Sequence, residues 1–284
     1  LVWFGLDKLF VQMIILTENR TLFNYLKEIF FRKNLILLMA KRDLRVKYSQ
    51  SLLGVAWIVI QPLTGMAIFT LFFTKVFSID NISLSIPYHL FSYSGFMCWL
   101  LFSNIISGAG ISLMQEENLI KKVYFPRIII PLAKTLNYLV DFFLSFLVLL
   151  IISAFYDLNV MWRFVFTIPA ILLILINGFT VALWLSALTM RYRDFNHFIP
   201  FLINFGIWLT PVFFPLQILP KKIRFIVELN PMTYAIELFR SLLFGLDLPD
   251  ISIIFIVVQI LIFVFLFLGV IYFIKIDRLL SDYL

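Results

Sequence analysis

The stretch ISIIFIVVQILIFVFLFLGVIYFI, residues 251–274, decides the fold: only Ser252, Gln259 and Gly269 interrupt its apolar run, and it carries no charge. A helix needs roughly 20 predominantly apolar residues to cross a hydrocarbon core of about 30 Å, and this run has that length. Working back from it, five further stretches read as spans, at 54–77, 88–114, 136–156, 164–190 and 198–216. The second is rich in Ser and Gly, the third contains Asp141, the fourth contains Asn177-Gly178, and the fifth is short. Inside a bilayer every backbone polar group must be paired within the protein, so the spans read as helices. The fold class is therefore an all-α integral membrane protein with about six transmembrane helices. Composition agrees: 62% of residues are hydrophobic and 14% charged, with a mean hydropathy of +1.02, which excludes an ordinary soluble domain.

Orientation follows from the basic residues, which gather on the cytoplasmic side of short loops. Of the 23 Lys and Arg, six spans leave only Lys75, Arg163, Lys221, Lys222, Arg224 and Arg240 on the opposite side. Both termini are expected in the cytoplasm, and the net charge of +7 is topological. These charges hug the membrane, which argues against a nucleic-acid partner. Asp7 and Lys8 interrupt the apolar start of the chain, so no cleavable signal peptide is expected there. The lone Cys98 reads as a small hydrophobe.

Four segments do not fit a plain bundle. The chain divides into a cytoplasmic N-terminal region, 1–53, and one transmembrane domain, 54–284. In the first, Leu22, Tyr25, Leu26, Ile29 and Phe30 recur at helical spacing and predict an amphipathic helix lying in the membrane surface. Next comes KRDLRVKYSQSLLG, residues 41–54, where Arg42 and Arg45 share a helical face and Asp43 stands four residues before Lys47. A basic cluster at the membrane mouth suits a phosphate or pyrophosphate; the alternative is an anchor that only fixes orientation. The loop 115–135 begins QEENLIKKVYFPR, and its Glu116 and Glu117 precede Lys121 and Lys122 at helix-pairing distances. A short helix is expected there, ended by Pro126 and restarted after Pro131, either as a docking surface or as a solvated loop. The hairpin at 217–248 is neither polar nor span-like. Asn230-Pro231 starts a helix whose apolar face runs to Gly245, and two short re-entrant helices are predicted.

Catalytic equipment is absent from the pattern. No P-loop occurs, none of the ten glycines is followed by Lys, and His89 and His197 stand far apart with no Cys/His cluster for a metal. No cofactor is expected in this chain. Asp141 reads as an ion-paired residue near the cytoplasmic end of its span, with Lys134 or another helix end as partner. The 34 Phe suit packing, and their faces also suit a smooth track for a sugar chain. Ser103, Ser107, Gly108 and Ser112 allow close helix approach.

RDLRVKYSQSLLGVAWIVIQPL at 42–63, ENLIKKVYFPR ending at Arg127, RYRDF at 191–195, TPVFFP at 210–215 and LNPMTYAIELFR ending at Arg240 occur in that order. Together they resemble the type-2 ABC exporter permeases of cell-surface polysaccharides, nearest to the Wzm-type O-antigen permeases, with capsule and teichoic-acid permeases close by. The resemblance implies a homodimer in the bacterial inner membrane, with two copies of a separate ATPase that binds ATP and Mg. The implied substrate is a glycan linked to undecaprenyl pyrophosphate, or a similar lipid-linked polymer. By position, the resemblance places Arg42, Arg45 and Lys47 at the cytoplasmic gate, Glu116, Glu117, Asn118, Leu119, Lys121, Lys122 and Arg127 in the coupling region, and Pro215, Asn230, Pro231, Glu237 and Arg240 in the external re-entrant gate. A membrane glycosyl or acyl transferase is the competing reading; it lacks clustered acids or His near a membrane face. An exporter of drugs or small lipids is the nearer alternative.

Overall fold

The computed structural model describes residues 22–49, 54–77, 86–123, 125–156, 158 and 160–281. The expectations for the apolar start of the chain lie outside the described residues, as do residues 50–53 of the basic segment. Among the described residues two helices precede the first span: α1, Leu22–Phe31, and α2, Lys33–Ser49. The spans follow as α3, Ala56–Phe77, and α4, Tyr88–Asn104, which continues through a π-helical turn at Ile105–Ala109. Single turns α5, Ser112–Gln115, and α6, Glu117–Ile120, lead to α7, Ile129–Ala154. A turn α8, Val160–Arg163, and a 3-10 turn precede α9, Ile168–Arg191. After α10, Phe195–Gly206, come α11, Lys221–Glu228, α12, Pro231–Phe244, and α13, Ile253–Ser281.

Among the described residues five helices are long and apolar enough to cross a membrane, and the fifth predicted span is different. It starts three residues earlier than expected, and its 12 α-helical residues continue only into a 3-10 turn of three, Ile207–Leu209. That makes about 24 Å, short of a hydrocarbon core of about 30 Å. The helix stops because Pro211 and Pro215 follow: Thr210, the residue before Pro211, is extended, and the chain continues through irregular turns and bends to Phe214. The third span begins at Ile129, two residues before Pro131, because a proline in the first helical turn has no backbone partner to lose. The loop is thereby shorter than 115–135, and Lys134 sits on α7.

α4 is the central helix: 78% of its span is buried, against 11% for both α3 and α13. Its Tyr93, Met97, Cys98 and Ile105 join residues of α7, α9 and α12 in the main core. A second core lies at the basic end, where Tyr25 of α1 and Met39 and Ala40 of α2 pack with Leu113, Ile120, Phe125, Ile129 and Phe273. The predicted stripe of α1 is thus divided. Tyr25 is fully buried, while Phe23, Leu26, Phe30 and Phe31 remain exposed beside Lys27 and Lys33, whose ammonium groups lie over Phe31 and Phe30. Exposed aromatics with lysines over them suit a membrane interface.

The re-entrant hairpin forms as local rules require. Asn230 caps α12 by accepting from the Met232 N–H at 2.9 Å, Pro231 occupies the first turn, and Gly245 ends the helix at φ +70°. A Cβ at Gly245 would also meet Arg163 Nη1 at 1.7 Å.

Candidate functional site

The basic segment is one continuous helix, α2, bound to its neighbours by charge. Arg42 donates to Glu116, the residue between α5 and α6, and pairs with Asp43 at 2.8 Å. Asp43 also receives Lys134 of α7 at 2.8 Å. Lys47 reaches Asp141 at 2.5 Å, and the Tyr48 hydroxyl donates to the same carboxylate. The pairing expected within the helix, Asp43 with Lys47, does not form. Asp141 is 6% exposed inside a span, and a buried carboxylate needs a countercharge more than a surface one does, so it takes Lys47 and leaves Asp43 to Lys134. Asp141 is the ion-paired acid that its position implied, with α2 as partner in place of Lys134.

Burial of the Arg42 guanidinium disfavours its charge, but hydrogen bonds to Asp43 and Glu116 outweigh this and raise its pKa. Burial, then the bond to Asp141, pushes the Tyr48 phenol up, so it stays a donor at any working pH. Arg45 is exposed and forms no ion pair among the described residues. It offers a free guanidinium three residues from one already engaged.

These pairs make an asymmetric prediction. Lys47→Met strands a buried carboxylate, whereas Asp141→Asn frees a lysine that is 44% exposed and can turn to water. Lys47→Met is expected to lose about 1.5–3 kcal/mol and Asp141→Asn clearly less, read as midpoints of thermal unfolding in detergent. Equal losses would show that the pair does not act through burial.

The loop after α4 holds two turns where one helix was predicted, broken at Glu116 with φ −99° and ψ 21°. Glu117 and Lys121 do pair, at 2.6 Å, and this contact lowers the Glu117 pKa. Glu117, Asn118, Lys121, Lys122 and Val123 are exposed and form the outer edge, while Leu119 is half-buried. Arg127 is 4% exposed and does not belong to that edge.

At the other end, Arg240 is buried at 1% exposure. Its guanidinium donates to the carbonyls of Phe91, Pro211 and Val212 at 2.9, 2.8 and 2.7 Å, and to Glu237 at 3.0 Å, and lies 3.6 Å over the Phe91 ring. Asn230 adds bonds to the Leu209 carbonyl and Thr210 Oγ1. Pro215 precedes a 3-10 turn, Leu216–Ile218. Arg240, steadied by Glu237, and Asn230 therefore tie the hairpin to α4 and to the turns after α10. Gly95 makes this possible: a Cβ there would lie 2.2 Å from Arg240 Nη2.

Between the two ends, α10 presents exposed Phe198, Phe201, Phe205 and Trp208. Successive ring centroids from Phe195 to Phe198, Phe201 and Phe205 are 6.1, 6.4 and 4.4 Å apart, and Trp208 meets Phe69 of α3 at 6.2 Å. The spacing of three and four residues was legible in the sequence as a single stripe. Among the described residues no cluster of His, Cys, Asp and Glu suits a metal ion.

A sequence model described as "ABC-2 type transporter" matches residues 34–244. An O-antigen export system permease protein RfbA from Myxococcus xanthus is 28% identical over 228 residues, which cover 79% of this chain and 85% of that protein. A protein of the same name from Klebsiella pneumoniae is 28% identical over 211 residues, 74% of this chain and 80% of that one.

Proposed function

Because this chain belongs to the ABC-2 type transporter family, we propose that it is the membrane subunit of an ATP-driven exporter of a lipid-linked surface polysaccharide such as O-antigen. The observation that carries this reading is its likeness, over 85% of that protein's length, to a relative named for O-antigen export. The geometry supports it. A basic helix, α2, stands at the mouth of the bundle and is joined through Arg42 and Glu116 to a loop with an exposed charged edge. The ATPase, two copies binding ATP and Mg, docks on that edge at Glu117 to Lys122. Its motion passes to α2 through the ion pair.

The substrate's undecaprenyl pyrophosphate is received by Arg45 and Arg42, with Lys47 holding the helix to α7. Two copies of the chain face each other across the aromatic stripes of α10 and enclose the sugar chain, since stacking on aromatic faces tolerates any sugar sequence. The protein sits in the bacterial inner membrane with both termini in the cytoplasm, and the hairpin of α11 and α12, with Pro215 and Asn230-Pro231, closes the external end. Deleting the gene is expected to abolish the surface polymer and to leave its lipid-linked form inside the cell. Both return on complementation. Surface polymer that persists at the parental level, measured by periodate staining of whole cells, overturns the reading.

A further inference from the structure

Beside the paired Lys47 and Asp141 lies a cavity of about 370 Å³ between the start of α3 and the facing turns of α4 and α7. Its walls carry Trp57 and Gln61 from α3, Asn104 from α4 and Tyr138 from α7. Among the described residues, no side-chain hydrogen bond engages the amides of Gln61 or Asn104, the Trp57 indole N–H or the Tyr138 hydroxyl. Trp57 and Gln61 are exposed and Asn104 and Tyr138 half-buried, so this unpaired set lines an open cavity and offers its donors and acceptors to a polar occupant. Asn104 stands immediately before the π-helical turn, and π turns recur at functional sites. Gly108 in that turn leaves room for Tyr138, whose hydroxyl would lie 1.8 Å from any Cβ there.

The chemistry of the walls limits the occupant. An amide both donates and accepts, as does a hydroxyl, so Gln61, Asn104 and Tyr138 match a ligand rich in hydroxyl groups. Trp57 is 52% exposed and makes no ring contact among the described residues, which leaves its face for the apolar side of a pyranose. Among the described residues, the charges lining the cavity are Lys47 and Asp141, which neutralise each other and leave no net field to draw an anion in. A phosphate would find a better home at Arg45, two residues earlier on α2.

Resting on the exporter reading above, we infer that this cavity is a subsite for the neutral sugar next to the lipid pyrophosphate. The lipid phosphates lie at α2 while the first pyranose stacks on Trp57 and bonds Gln61 and Asn104. The carrier is then checked for its sugar before the chain advances, and a lipid pyrophosphate without a glycan is passed over.

The test uses the full chain with its own ATPase in cells that make the polymer. A benzophenone amino acid replaces Trp57, or Ile260 on the exposed face of α13 as a control. After irradiation, the purified chain is stained for periodate-oxidised glycan. Glycan adducts are expected at position 57 and not at 260. In the same background Gln61→Leu with Asn104→Leu lowers the adduct and polymer export by about tenfold, with expression and co-purification of the ATPase unchanged. Adducts carrying lipid but no glycan, or a glycan adduct and export undiminished by the double substitution, overturn the subsite. If the double variant misfolds, loss of ATPase co-purification reveals it, and Asn104→Ser, which exchanges the amide for a shorter hydroxyl that cannot reach as far, then serves as the variant with the same expected direction. The exporter reading fails separately, by persistence of surface polymer in the deletion strain.

Discussion

Replacing Arg240 with Met is expected to remove most of the folded protein. The guanidinium serves two carbonyls outside any helix, at Pro211 and Val212, and that of Phe91, which Ser94 Oγ also serves, in a site with no access to water. The irregular turns after α10 can be buried only because their carbonyls are met from within the protein. Each buried group left unpaired costs about 1–3 kcal/mol, and Glu237 also loses its partner. The total is a large part of the roughly 5–15 kcal/mol that holds a typical protein folded. Arg240→Lys keeps the charge but loses the planar fork, so its loss is intermediate. Gly95→Ala is expected to act in the same direction, since its methyl would press on Arg240 Nη2 at 2.2 Å and the Val212 oxygen at 2.6 Å. The yield of monodisperse protein and its melting in detergent report all three. A melt of Arg240→Met within a degree or two of the parent would show that the arginine is dispensable.

The second large effect concerns coupling rather than folding. Arg42 and Glu116 lie 74 positions apart in the chain, yet they are the charged contact between α2 and the loop. Arg42 is 43% exposed, so the pair adds little stability. Neutralising it as Arg42→Gln or Glu116→Gln is expected to shift melting only slightly. Substrate-stimulated ATP hydrolysis by the complex is expected to fall about tenfold in either variant, the scale of one charge-assisted hydrogen bond. The double variant should be no worse than Arg42→Gln alone, because Glu116 acts only through its link to Arg42. Additive losses in the double variant would mean that the two residues act in separate places.

The spans were legible because hydropathy is a local property and a bilayer permits few alternatives. The hairpin helix α12 was legible for a similar reason, since Asn230-Pro231 and Gly245 act on the backbone within one turn of themselves. Ion partners were not. A spacing of four residues joined Asp43 to Lys47 on paper, but the choice was made by Asp141, almost 100 residues away and short of a countercharge. Arg240 illustrates the same limit more strongly. In a loop rich in Lys and Arg it looks like one more exterior charge, and only the third dimension reveals the carbonyls around it. The start of α7 was misplaced because Pro131 was taken as a break, although a first-turn proline is compatible with a helix.

The shortness of α10 has a consequence for the lipid. A wall about 6 Å lower than the hydrocarbon thickness is a hydrophobic mismatch, and acyl chains beside it must thin or tilt at a fraction of a kcal/mol per Å. The neighbouring long helices, α9 with 24 residues and α13 with 29, impose no such distortion. Leaflet elasticity therefore works against lipid contact along this one flank. It favours any arrangement that withdraws α10 from the acyl chains, so in the dimer proposed above the bilayer itself helps to hold the two flanks together.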